Sequence, residues 1–146
     1  MGEEAKNAIK YALKLLSISE ASELKLKQFL EKHGYDESEI KETIKYLKTK
    51  NFINDARLAA LIVEKCIRKK KGVNYVRDIL ASKGIPENII SETLARMYPQ
   101  SLEYMTAREL FFSSKKPLKK ILYWLASKGF SEATIEKLRE ETGEQQ

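Results

Sequence analysis

The chain has 146 residues, 42% of them hydrophobic and 33% charged, with 27 Lys and Arg against 21 Asp and Glu. That mix suits one helix-rich domain, or a row of small units, large enough to bury an extended core. It holds no run of about 18 apolar residues, which excludes a membrane-spanning helix, and its single cysteine, Cys66, excludes an internal disulfide. The free thiol and the acidic start Met1-Gly2-Glu3-Glu4, which lacks a secretory apolar stretch, lead us to expect a cytoplasmic protein. The net charge of +6 points to an acidic partner, nucleic acid first among them, without setting any specificity.

In chain order, Ala8, Ile9, Ala12, Leu13 and Leu16 form an apolar stripe that predicts an amphipathic helix over 5–17. Ser22 is placed to cap a second helix ending at His33, and Asp36 with Glu39 reads as a capping box opening a third that stops near Asn51. Asn54-Asp55 caps a long helix bearing Leu58, Ala59, Ile62, Val63, Cys66 and Ile67, predicted to run through Arg68-Lys69-Lys70-Lys71 to Gly72. Asn74 is then the expected cap of a helix carrying Val76, Ile79 and Leu80 to Gly84, and Pro86 suits the first turn of the next. Tyr98-Pro99-Gln100-Ser101 is the clearest break. Beyond it, Leu102, Met105, Leu110 and Phe111 mark a helix that breaks before Pro117. Leu118 opens another helix, Ser131 caps the last, and the tail from Glu140 is expected to fray. Phe29, Phe52, Phe111, Trp124 and Phe130 fall at core positions, whereas Tyr98, Tyr104 and Tyr123 are ambiguous.

A repeat underlies this order. Leu80-Ala81-Ser82-Lys83-Gly84 recurs unchanged as Leu125-Ala126-Ser127-Lys128-Gly129, and a looser copy, Leu30-Glu31-Lys32-His33-Gly34, lies 50 residues before Leu80-Gly84. Each copy follows apolar residues at helical spacing and precedes one bulky apolar residue (Tyr35, Ile85, Phe130). A helix that ends on a left-handed glycine and restarts produces this pattern. With no sustained alternation, the prediction is an all-α protein of about nine helices in three tandem three-helix units: 1–52, 53–98 and 99–146 with a polar tail.

Lys65, Arg68, Lys69, Lys70, Lys71 and Arg77 are six cations in 13 residues with no acid among them, equal to the formal charge of the whole chain. Such a cluster suits phosphate contacts, although a solvated helix end complementing the dipole accounts for it equally simply. Tyr75 lies close enough to stack on a base or to cover the core. A second stretch, Lys115, Lys116, Lys119 and Lys120, with Lys128 further on, reads as a solvated face, since Pro117 should interrupt any helix joining Lys116 to Lys120. Arg57 reads as an exposed ion pair with Asp55. One His and one Cys cannot build a zinc site, Cys66 sits on an apolar stripe, and no phosphate-binding glycine loop occurs. Neither catalysis nor a cofactor or metal is expected.

The ordered motifs resemble the RecX family of RecA recombinase modulators. The residues carrying the resemblance are Tyr11-Ala12-Leu13-Lys14-Leu15-Leu16-Ser17, Leu26 to Tyr35, Phe52-Ile53-Asn54-Asp55-Ala56-Arg57-Leu58-Ala59, Val76 to Ile85, Ala107-Arg108-Glu109-Leu110 and Leu125 to Ser131. The chain departs from the family at Ile18-Ser19, at Val73-Asn74-Tyr75 and at Leu58. The resemblance implies an elongated, curved row of three-helix units, acting as a monomer without catalysis, that binds the RecA–DNA filament and limits its growth. On that reading Arg57, Lys65, Arg68, Lys69, Lys70, Lys71, Tyr75 and Arg77, with Lys115, Lys116, Lys119 and Lys120, are the candidate contacts to RecA or to single- or double-stranded DNA. A helix-turn-helix DNA-binding regulator acting without RecA is the alternative, since short helices joined at glycine also describe that motif.

Overall fold

The computed structural model describes residues 2–143. Among the described residues there are nine helices and no strand: α1 Glu3–Leu16, α2 Glu23–Lys32, α3 Glu37–Thr49, α4 Asp55–Arg68, α5 Val73–Ser82, α6 Glu87–Met97, α7 Gln100–Ser113, α8 Leu118–Ser127 and α9 Glu132–Thr142. Three separate apolar clusters hold them in threes. Ala8, Leu26, Leu30, Ile44 and Leu47 lie in the first, and Leu58, Val63, Val76, Leu80 and Ile90 in the second. Ala107, Phe111, Ile121, Leu125 and Leu138 lie in the third. Ile53 closes the first cluster and Tyr98 the second.

The local signals act as their chemistry requires. Ser22 Oγ accepts from the Lys25 amide, Asp36 and Glu39 form the reciprocal capping box, and Asn54 and Ser131 accept from Arg57 and Thr134. Gly34, Gly84 and Gly129 have φ of +88°, +83° and +92°, the left-handed cap each copy of the repeat calls for.

Five expectations need correction. The helix carrying the basic run stops at Arg68, and Lys70, not Gly72, takes the left-handed conformation with φ +57°. Gly72 has φ −81° and is the N-cap of α5, which leaves Asn74 inside that helix. Phe52 is 45% exposed, because the chain reverses at Asn51 and carries it out of the first core. Leu102 and Met105 also face outward; the buried stripe of α7 is Glu103, Thr106, Ala107 and Phe111, about one residue in rotation from the expected one. Finally, Glu140–Thr142 remain helical and α9 ends on left-handed Gly143, while the rest of the expected tail, 144–146, lies outside the described residues.

Successive units are joined by one device used twice. The first amide of a middle helix has no partner within its own helix. At the first junction the Glu23 amide, opening α2, donates to Asp55 Oδ1 at the start of α4, over 2.9 Å. At the second, the Val73 amide, opening α5, donates to Glu103 Oε2 on α7 over 2.8 Å. The residue just before each middle helix then binds the lysine carbonyl of the next unit's glycine turn. Ser22 Oγ donates to the Lys83 carbonyl, and the Gly72 amide donates to the Lys128 carbonyl over 2.9 Å. Asn74 adds a bond from its amide to the Gly129 carbonyl at 2.8 Å. The chains approach so closely that a Cβ on Gly72 would lie 2.1 Å from the Phe130 backbone nitrogen, and one on Gly129 2.5 Å from Tyr75.

Glu103 is 1% exposed and is the fullest expression of this device. Besides Val73 it accepts from the Ser131 amide at 3.1 Å and from the Ser131 and Thr134 hydroxyls, each at 2.5 Å. Its carboxylate therefore lies at the N-terminal ends of both α5 and α9, where helix dipoles favour negative charge. Beside it, Tyr98 donates its hydroxyl to the Lys71 carbonyl over 2.6 Å. Burial first, and then the nearby Glu103 charge, push the Tyr98 phenol up to about 12.

Glu103→Ala leaves the part-buried Val73 and Ser131 amides, which share Oε2, without an acceptor. It should lower stability by roughly 2–4 kcal/mol in urea unfolding, whereas a loss under about 1 kcal/mol would contradict the assigned role. Tyr98 supplies a pH signature. Its folded pKa lies above the unfolded value of 10.0, so its contribution is fully present below pH 10 and is lost as pH rises towards about 12. Tyr98→Phe should cost about 1–3 kcal/mol at pH 8, with the gap to the parent narrowing above pH 10; a constant gap in denaturant titrations across that range would contradict it.

Candidate anion-binding face

The predicted cations divide into those the fold occupies and those it leaves free. Lys70 Nζ reaches Glu109 at 2.7 Å, joining the α4–α5 turn to α7, and Arg77 reaches Glu87 at 2.6 Å. Arg57 does not pair with Asp55, whose carboxylate is engaged by α2. It lies 3.6 Å from Glu20 and donates to the Asn51 and Phe52 carbonyls at the end of α3. Burial pushes the Asp55 carboxyl up despite the Glu23 hydrogen bond. Among the described residues, Lys65, Arg68, Lys69 and Lys71 have no carboxylate within 4.0 Å, and neither do Lys115, Lys116, Lys119 and Lys120.

The two basic stretches, 38 residues apart between Arg77 and Lys115 in the chain, meet at the second junction. Because the Tyr75 backbone packs on the Gly129 turn, Tyr75 is carried up to Lys128. Lys71 Nζ lies 5.0 Å from the centre of the Tyr75 ring. Lys128 and Lys116 lie 5.2 Å and 5.1 Å from the centre of the Trp124 ring. Three ammonium groups and two aromatic side chains thus alternate across the contact between the second and third units. Burial, then the positive charge of Lys71, hold the Lys128 ammonium below the usual lysine range. A face that crowds like charges in this way gains when an anion settles on it. The face thus combines cations with aromatic rings.

Lys115 adjoins Lys116 in the chain, and Lys119 and Lys120 lie in the first turn of α8. α8 opens at Leu118 with Pro117 as its cap, so no helix joins Lys116 to Lys120. A groove of about 780 Å³ on α2 and α3 carries no such field: Glu23, Glu31 and Glu37 alternate there with lysines, two of which, Lys27 and Lys48, pair with Glu23. Cys66 is buried, and burial pushes its thiol up although Lys69, Lys65 and Lys71 oppose this. His33 is exposed at the end of α2 and its Nδ1 is bonded to the Phe29 carbonyl.

Trp124 and Lys128 were not among the predicted contacts. Trp124 falls on an apolar stripe and packs against the third core, which hides its second use. The exact recurrence of Lys83 and Lys128 was the available signal, since a helix cap requires the glycine but not the lysine before it. Glu103 escaped for the opposite reason: it looks like surface charge unless α7 is phased on Ala107 and Phe111, when a carboxylate appears on the core stripe.

With this geometry in hand, the relationships of the chain can be stated. Residues 8–47 match the family described as RecX, first three-helix domain, and residues 54–94 match RecX, second three-helix domain. Regulatory protein RecX of Caldanaerobacter subterraneus subsp. tengcongensis is 28% identical over 137 residues, which span 92% of this chain and 70% of that protein. Regulatory protein RecX of Clostridioides difficile is 32% identical over 138 residues, spanning 87% of this chain and 64% of that protein. The crystal structure of RecX from Lactobacillus salivarius superimposes with a TM-score of 0.82 at 25% identity, covering 97% of each chain. Among the described residues no helix is long and apolar enough to cross a membrane, and no cluster of His, Cys, Asp and Glu is arranged to hold a metal ion. The tandem three-helix units, the ordered motifs and these relatives establish that the chain belongs to the RecX family.

Proposed function

We propose that this chain is a cytoplasmic, monomeric, non-catalytic regulator that binds the RecA–DNA filament and limits filament growth and the activities that depend on it. The observation that carries this reading is the face built by Lys71, Tyr75, Lys116, Trp124 and Lys128 on a member of the RecX family. The filament is a rod of protein and phosphate, and a cationic, aromatic face spanning two docked units suits a surface of that kind. The division into units at 52/53 and 98/99 belongs to the same proposal. Each three-helix unit is a domain, and the junctions hold successive domains at a set angle, so that one chain bridges neighbouring subunits of the filament. Salt-sensitive affinity without base reading follows, because lysines neutralise phosphates without contacting base edges.

The direct test measures RecA's DNA-dependent ATPase and filament length with and without this chain. A decrease in both at stoichiometric or lower amounts is expected, and no effect at several-fold excess would refute the reading. The informative variant is Lys71→Gln with Lys116→Gln and Lys128→Gln, which leaves Lys70 bound to Glu109 and so preserves the junction. It should weaken filament binding about tenfold at low salt and flatten its salt dependence by about 2–3 in log–log slope. Sequence-specific footprinting on duplex DNA without RecA would favour a self-sufficient DNA-binding regulator instead.

A further inference from the structure

The first junction leaves a different surface from the second. Between the α1–α2 connection and the faces of α4 and α5 lies a groove of about 540 Å³. Its floor is aliphatic: Leu58, Ile62, Cys66 and Ile79, with Leu15 as a wall. Its rim is cationic, formed by Lys25, Lys65, Lys69 and Lys83. Among the described residues none of these four lysines has a carboxylate within 4.0 Å, and the one acid on the rim, Glu20, is taken by Arg57 at 3.6 Å. The walls are fixed by the junction, since Ser22 holds the Lys83 carbonyl and Leu24 packs on the Gly84 turn.

We propose that this groove docks an acidic segment of the recombinase that inserts an apolar side chain between flanking carboxylates. The inference rests on the function proposed above and assigns the protein partner and the nucleic acid to different surfaces. An aliphatic floor under a cationic rim complements a peptide, whose apolar side chain points in while its carboxylates meet the lysines. A nucleic-acid strand puts its charge outermost and needs flat faces for its bases. The groove's aromatic residue, Tyr75, is at the edge and already faces Lys71 at 5.0 Å. The face at the second junction has the opposite composition, with Tyr75 and Trp124 between ammonium groups. Lys83 and Lys128 hold equivalent places in the repeat, so the same lysine serves a peptide at one junction and phosphate at the other.

The experiment measures two affinities by fluorescence anisotropy with the full chain: for RecA without DNA, and for a labelled oligothymidylate about 30 nucleotides long without RecA. Lys65→Glu with Lys69→Glu and Lys83→Glu should weaken RecA binding about tenfold and change oligothymidylate binding less than about twofold. Ile62→Gln, half-buried on the groove floor, should weaken RecA binding about fivefold with an unchanged salt slope. Circular dichroism verifies that each variant is folded. If the lysine variant loses oligothymidylate binding as much as RecA binding, the groove is a nucleic-acid seat and the proposal is overturned. If folded groove variants bind RecA like the parent while the parent still shortens filaments, the proposal falls and the function stands. If the parent affects neither RecA's ATPase nor its filaments, both fall.

Discussion

A helix N-terminus exposes amides that its own backbone cannot satisfy, and in this chain the next unit satisfies them. Asp55 does so for α2, and Glu103 for α5. Stacked three-helix units benefit from such a device, because the three apolar cores are separate, one to each unit. Hydrogen bonds to carboxylates are directional, so they set an angle where apolar contact alone would permit sliding. The glycine turns complete the joint. With no Cβ, Gly72 and Gly129 let two backbones approach within hydrogen-bond distance.

This constraint explains why the face of lysines and aromatic side chains exists at all. Lys71 with Tyr75, and Lys128 with Trp124 and Lys116, belong to different units with separate cores. They form one surface because Gly72 and Asn74 are bonded to the Gly129 turn and Glu103 holds Val73 in place. The repeated pentapeptide therefore has two functions. Its glycine ends a helix, its lysine carbonyl receives the preceding unit, and the lysine side chain is left at the surface where contact with a partner is proposed. Conformational punctuation and binding share the same residues, so a substitution there acts on both.

Helix existence and order were legible in the sequence because the signals were local: stripes at helical spacing, the Asp36–Glu39 capping box, and glycines at φ near +90°. The family was legible from ordered motifs. What local spacing cannot reveal is a partner far along the chain. Gly72 looks like a helix stop until the Phe130 backbone is seen against it, and Lys70 takes the left-handed turn in its place. Arg57 looks paired with its near neighbour Asp55, but Asp55 is drawn to Glu23 in the preceding unit. The candidate cations were recognised as residues, yet which of them were free was decided by tertiary ion pairs such as Lys70–Glu109.

The central claim is that the units are docked rigidly through the N-termini of their middle helices, and amide hydrogen exchange measures this residue by residue. The Gly72, Val73 and Asn74 amides lie at the start of a helix yet bond to Lys128, Glu103 and Gly129. Lys119, in the same position as Asn74 on α8, has no backbone acceptor among the described residues. The account predicts that Gly72, Val73 and Asn74 exchange as slowly as interior amides such as that of Leu80, while Lys119 exchanges freely. Exchange of all four at the same fast rate would show that the second and third units hinge apart, and would contradict a single face built across their junction.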